Sequence, residues 1–176
     1  MLEENKNIAL LGLGIMGRAV AKSYSSKGYT VHGWNRGKVN QDLAKDMNLE
    51  NLVICDDAAE AVKHSDHLDI MTVMADQMLS TTETVIQSVD ANIWKGKTLV
   101  QFTSHDPFAI KAQEKLVTTT MHANLIGGAM MAVPDTVGTN KGNFLVSSKD
   151  PKLVEHNLPA LQVLGNVVPL NGDIGL

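Results

Sequence analysis

A single cysteine, Cys55, occurs in the chain, so no disulfide can form within it, and a reducing, cytoplasmic setting is the expectation. Lysine and arginine never gather into a run, and the formal net charge is −4. That balance suits neither nucleic acid nor an anionic membrane surface as a partner. No apolar stretch approaches the roughly 18–20 residues that a membrane helix needs. The opening Met1-Leu2-Glu3-Glu4-Asn5 is acidic and lacks the basic start and apolar core of a signal peptide. Metal ligands are not grouped: the six histidines are scattered, and His64 and His67 sit in a polar connector that reads as solvated, so no metal site is expected. Repeats, low-complexity tracts and linkers are missing too. The 176 residues therefore read as one domain, 1–176.

What is present is an alternation of short apolar runs with helically spaced segments, the pattern of parallel strands joined by crossover helices. Ile8-Ala9-Leu10-Leu11 reads as a buried strand, Ile15 to Lys27 as a helix stopped by Gly28, and Tyr29 to Trp34 as a second strand. Gly37 to Met47 follows as a polar helix, then the strand Leu52 to Cys55 and a short helix opened by Asp57-Ala58-Ala59-Glu60, which resembles a capping box. The spacing predicts strands over Leu68–Met74 and Thr98–Phe102 with a helix over Gln77–Val89 between them. Asp106-Pro107 and Asp150-Pro151 each place a capping carboxylate before a proline suited to the first helical position. Between those helices a strand is expected over His122–Ile126, then a Gly/Pro-bearing stretch over Gly127–Gly142. Phe144–Val146 and Val167–Leu170 read as closing strands. The fold class that follows is α/β, a doubly wound, mostly parallel sheet.

Gly12-Leu13-Gly14-Ile15-Met16-Gly17 matches G-x-G-x-x-G, and it stands between a buried strand and a helix, the context that gives the pattern meaning. In that setting Gly12 permits the tight turn, Gly14 admits a pyrophosphate close to the backbone, and Gly17 lets helix and strand pack closely. The free N–H groups at the helix start attract the phosphates. Gly12, Leu13, Gly14, Ile15 and Met16 are thus the candidate phosphate-binding set of a Rossmann-type domain. The second strand bears on which dinucleotide is bound. An NAD-binding domain places a carboxylate at its end for the ribose hydroxyls; here stands Trp34-Asn35-Arg36-Gly37-Lys38, with none. A guanidinium can instead grip the 2′-phosphate of NADP and stack on adenine. Arg36 is the candidate for that role, with Asn35 on the ribose and Lys38 assisting, so the expected cofactor is NADP. Ligands of such sheets lie beyond the C-terminal strand ends. That nominates Val73, Met74 and Ala75 for the adenosine and ribose side and Thr103 for the nicotinamide side, although ordinary loop residues fit those places equally well.

The glycine turn together with Trp34-Asn35-Arg36 resembles the N-terminal domain of the 6-phosphogluconate dehydrogenase and β-hydroxyacid dehydrogenase superfamily. Leu99-Val100-Gln101-Phe102-Thr103-Ser104 and Gly128-Ala129-Met130-Met131-Ala132-Val133-Pro134, followed by Val137-Gly138-Thr139, are similar to its imine reductase branch. The resemblance runs over essentially the whole chain. It implies an NADP-dependent oxidoreductase that, in complete form, moves a hydride between the nicotinamide and a C=N substrate, a small imine or carbonyl compound, with homodimer formation in keeping with the family. Two departures stand out. Hydroxyacid dehydrogenases carry a Ser-Gly-Gly segment for the substrate carboxylate, whereas the matching place here is the apolar Met131-Ala132-Val133, and Gly127 stands where relatives often carry Asp. Met131 is accordingly the substrate-facing candidate, expected on an exposed loop, while Met130 suits a core role equally. These families continue into a long interdomain helix and a helical domain that supplies the proton donor. Here Asn171-Gly172-Asp173-Ile174-Gly175-Leu176 resembles the approach to that helix, and the expectation is a cofactor domain without its helical partner. Asp173, beside Gly172, reads as a turn residue, and no catalytic residue is assigned. The alternatives are a noncatalytic NADP(H)-binding or sensing module and the cofactor domain of a β-hydroxyacid dehydrogenase, the latter disfavoured by the missing Ser-Gly-Gly.

Overall fold

A computed structural model of the chain describes residues 6–66, 68–71, 79–104, 106–170 and 174. Its strands and helices alternate from the start: β1 (Asn7–Leu11), α1 (Ile15–Ser26), β2 (Thr30–Trp34), α2 (Lys38–Lys45), β3 (Leu52–Ile54), α3 (Ala58–His64), β4 (Leu68–Met71) and α4 (Leu79–Gln87). There follow α5 (Ala91–Trp94), β5 (Thr98–Gln101), α6 (Pro107–Lys115), β6 (Asn124–Met131), β7 (Thr139–Ser147), α7 (Pro151–Leu161) and β8 (Gly165–Pro169). The strands form one sheet in the order β3-β2-β1-β4-β5-β6-β7-β8. Pairing is parallel from β3 across to β6, β7 runs antiparallel to β6, and β8 is parallel to β7. The doubly wound, mostly parallel sheet read from the sequence is therefore the observed fold.

Side-chain alternation along the strands builds a core on each face. Ile8 and Leu10 of β1, Val100 of β5 and Ile126 of β6 join one cluster with Val20, Ala21 and Tyr24 of α1 and Val154 and Leu161 of α7. Ala9, Leu11, Leu99 and Leu125 face the other way, onto Ala61 and Val62 of α3, Ile86 of α4, Trp94 of α5 and Ile110 of α6. Two long-range hydrogen bonds fasten α1 to the far end of the chain: the Tyr24 hydroxyl donates to the Ala160 carbonyl at 3.0 Å, and the Ser23 hydroxyl to the Val163 carbonyl at 2.7 Å.

The helix signals behave as their chemistry dictates. Gly28 adopts φ +79° just after α1, the left-handed stop that glycine makes without a Cβ penalty. Asp106 Oδ1 accepts from the N–H groups of Phe108 and Ala109 at 2.9 and 3.0 Å, and Asp150 Oδ1 from Lys152 N at 3.0 Å. At α3 the Asp57 carboxylate accepts from Glu60 N at 2.7 Å, but the Glu60 carboxylate returns to Asp56 N rather than to the capping residue itself. α5, capped by Asp90, has no counterpart in the sequence reading, nor does the π-helical turn Leu116–Thr120 that follows α6.

The stretch Gly127–Gly142 departs most from expectation. It is largely extended: β6 runs through Gly127 and Gly128 to Met131, a 3-10 turn occupies Pro134–Thr136, and β7 begins at Thr139. The two glycines answer to packing rather than to a loop. A Cβ on Gly127 would lie 2.6 Å from Ile174, and one on Gly128 would lie 2.5 Å from the Phe102 ring. His64 is exposed as expected, yet its ring stacks on His32 of β2, with centroids 5.1 Å apart. His67 and Asp173 lie outside the described residues.

Candidate functional site

Parallel pairing aligns one row of residues across the sheet: Trp34 opposite Leu11, Leu11 opposite Met71, Met71 opposite Gln101, and Gln101 opposite Gly127. The described residues that follow Leu11, Trp34 and Gln101 leave the sheet at the same edge. Gly12–Met16, Asn35–Lys38 and Thr103 are thereby brought to one edge of the sheet, though they are dispersed in the chain. The sheet reverses its winding between β1 and β4, the place where such sheets take ligands. Val73, Met74 and Ala75 lie outside the described residues.

The glycine turn is held open by its backbone. Gly12 adopts φ +122°, a conformation that L side chains rarely tolerate, and its N–H donates to the Trp34 carbonyl at 2.8 Å. Gly14 is the N-cap of α1 in an extended conformation; it offers no side-chain acceptor, and the first turn holds no acidic residue. The N–H groups at the start of a helix need acceptors from outside it and carry a partial positive charge. Here no side-chain cap supplies an acceptor at that end.

Neighbouring polar side chains brace the turn. Asn35 Oδ1 accepts from Leu13 N at 3.0 Å while its Nδ2 donates to the Gly37 carbonyl at 3.0 Å. Asn35, expected on the ribose, therefore has both ends of its amide engaged in tying β2 to the turn. The Leu13 N–H is likewise spent on Asn35. Arg18 Nη1 donates to the Leu13 carbonyl at 2.9 Å and to Asn40 Oδ1 at 3.2 Å, and Gln41 Nε2 donates to the Asn35 carbonyl at 2.7 Å. Arg36 stands exposed at the end of β2. Lys38 pairs with Asp42 at 3.0 Å, an exposed i,i+4 contact that contributes little on its own.

Farther along that edge Thr103 is 4% exposed, and its hydroxyl oxygen has no hydrogen-bond partner among the described residues. It lines a cavity of about 360 Å³ together with Ser104, Pro107, Gly127, Gly128 and Ala129. A buried hydroxyl without a partner beside an open cavity suits a polar ligand group. β6 continues four residues past Gly127, roughly 13 Å at strand rise, and carries Met131 out to 63% exposure. Met131 thus sits on a strand end rather than on a loop. Met130 points the other way and packs against the core opposite Phe144.

These features fit a dinucleotide, and comparison with known proteins agrees. Residues 7–171 match the family described as the NAD binding domain of 6-phosphogluconate dehydrogenase. The chain belongs to this family. As an NAD(P)-binding domain it is similar, at 27% identity over 173 residues, to an NADPH-dependent reductive aminase of Aspergillus oryzae; the match takes in 97% of this chain and 55% of that protein. Among solved structures it resembles the imine reductase of Myxococcus stipitatus in complex with NADP+, with a TM-score of 0.84, 29% identity, and coverage of 96% of this chain and 56% of the other. A variant of that imine reductase in complex with NAD+ is similar at the same TM-score, 27% identity, and 97% and 56% coverage. The chain spans just over half the length of these relatives.

Within this NAD(P)-binding domain, sequence reading missed Arg18, Asn40 and Gln41, the braces of the glycine turn. The available signal for Arg18 was its place one residue after Gly17; nothing local marked the other two. No helix among the described residues is long and apolar enough to cross a membrane.

Proposed function

We propose that this chain is the NADPH-binding half of an oxidoreductase that reduces C=N bonds in small imines or iminium ions. In this reading the diphosphate rests on the N–H groups at the start of α1, at Ile15 and Met16. Arg36 takes the 2′-phosphate with Lys38 assisting, and Asn35 acts behind them by fixing the turn. Thr103 faces the nicotinamide half. When bound, NADPH supplies the hydride; the chain's own residues bind it, orient it and keep water from one side. Exposed Met131 and Val133 (63% and 59% exposed) offer an apolar wall suited to a C=N carbon and unsuited to a carboxylate. The observation that carries the reading is the end of β2: an exposed arginine next to a braced Asn35, with no carboxylate to repel a 2′-phosphate.

The test has two arms. Titration by nicotinamide fluorescence should show NADPH binding about tenfold or more tighter than NADH, the scale of one charge-assisted contact, and Arg36→Ala should erase most of that preference. Equal affinities in the unmutated chain overturn the assignment of Arg36. Separately, NADPH oxidation should accompany turnover of a cyclic imine when a relative's helical domain is supplied in trans. Tight NADPH binding with no turnover of any imine in that mixture would overturn the C=N chemistry alone.

A further inference from the structure

We propose that Gln101 and Gln113 are positioning residues, which hold Thr103 so that its hydroxyl meets a polar group on the nicotinamide half of the bound coenzyme. The proposal rests on the NADPH reading above. A chain of hydrogen bonds crosses the core between α4, α6 and β5. Gln113 Nε2 donates to the Thr82 hydroxyl on α4. Gln101 Nε2 donates to Gln113 Oε1 at 2.8 Å, and Gln101 Oε1 accepts from the main-chain N–H of Thr103 at 2.8 Å. Thr82, Gln101 and Gln113 are all fully buried.

Three features make this more than core packing. A buried primary amide is unfavourable unless its groups are paired, and apolar side chains fill such a volume without that liability. Here the amides point head to tail, each accepting on one side and donating on the other, so a flip of either breaks bonds on both sides. The series ends on Thr103, two residues beyond Gln101. By holding the Thr103 N–H it sets the course of the backbone as it leaves β5. The Thr103 hydroxyl is left unspent, buried and lining the cavity. The network thus fixes a hydroxyl whose own partner must come from outside the described residues.

The experiment compares two ligands of the full chain: NADPH, and adenosine 2′,5′-bisphosphate, which lacks the nicotinamide half. Gln113→Met keeps volume and removes both amide bonds. It should weaken NADPH about three- to tenfold, the scale of one or two hydrogen bonds, shift the emission of the bound nicotinamide, and leave the bisphosphate affinity unchanged. Thr82→Val, a milder change at the far end, should act in the same direction, and Thr82→Ser should restore the original behaviour; these two decide the matter if Gln113→Met does not fold. Unchanged NADPH binding in the folded variants, or equal loss for both ligands, overturns the positioning role and leaves the NADPH reading standing. If the unmutated chain binds neither ligand, the NADPH reading falls and this inference falls with it.

Discussion

The side-chain oxygen of Asn35 holds the main-chain N–H of Leu13 at 3.0 Å, joining the end of the second strand to the glycine turn that follows the first. The arginine at position 36 thereby rides on the same brace as the glycine turn. In the proposed reading, this sets the diphosphate-facing turn and Arg36 relative to each other before any ligand arrives, which lowers the ordering cost of binding.

Removing that brace should weaken both stability and binding. Asn35→Ala deprives Leu13 N–H of its acceptor and should cost about 1 kcal/mol, a fall of roughly 2–4 °C in Tm for a chain of this size. NADPH affinity should drop with it. Asn35→Asp keeps an acceptor for Leu13 but sets a negative charge beside Arg36, so its signature is different: the preference for NADPH over NADH should narrow. Thermal melts and paired titrations check both outcomes.

At the β6 glycines the expectation is steric. A Cβ on Gly128 would meet the Phe102 ring at 2.5 and 2.6 Å and the Leu145 carbonyl oxygen at 3.1 Å, whereas on Gly37 the nearest atom is Asn35 Nδ2 at 3.6 Å. Gly128→Ala should therefore destabilise by about 1–3 kcal/mol through overpacking. Gly37→Ala should be nearly neutral. Chemical denaturation of both variants measures the contrast.

Acid should weaken the fold through His32. Burial first, and then the stacked His64, lower its pKa from the ordinary 6.5, while Asp66 and Glu60 pull weakly the other way. The native ring is the neutral one. Below pH 6.5 the unfolded chain takes up a proton that the folded chain resists, so stability falls as the pH drops from 6.5 toward the lower folded value. Above 6.5 this group contributes no pH dependence. Melting curves between pH 7 and 5 should show the decline, and His32→Gln should flatten it.

A thiol probe reads the same region independently. Burial, reinforced by the charges of Glu60, Asp57 and Asp56, pushes the Cys55 thiol up to about 12. With its sulfur shielded in the core and almost no thiolate at neutral pH, Cys55 should react with an aromatic disulfide reagent only after denaturant is added. Rapid labelling of the native chain would contradict that burial.

Much of this architecture was legible because its causes are local. The strand into Gly12, the left-handed stop at Gly28 and the Asp-Pro caps at 106 and 150 each depend on a few adjacent residues. The exposed loop expected around Met131 failed for the opposite reason. Its glycines are required by Phe102 and Ile174, which are distant in the chain, so composition suggested a loop where packing demanded close-set strands. α5 spans four residues, too few for a period to show. The glycine turn was legible from its motif, but the use of Asn35 on Leu13 was not, because 22 residues separate them. Gln101 did leave a trace, a polar residue inside the apolar run Leu99–Phe102. Its partners on α4 and α6 emerge only from the fold.

The most direct test is a crystal structure of the chain with NADPH. The diphosphate should lie on the N–H groups of Ile15 and Met16, with the 2′-phosphate within hydrogen-bonding distance of the Arg36 guanidinium. A coenzyme bound elsewhere, or a crevice filled by the protein's own side chains, would contradict the account.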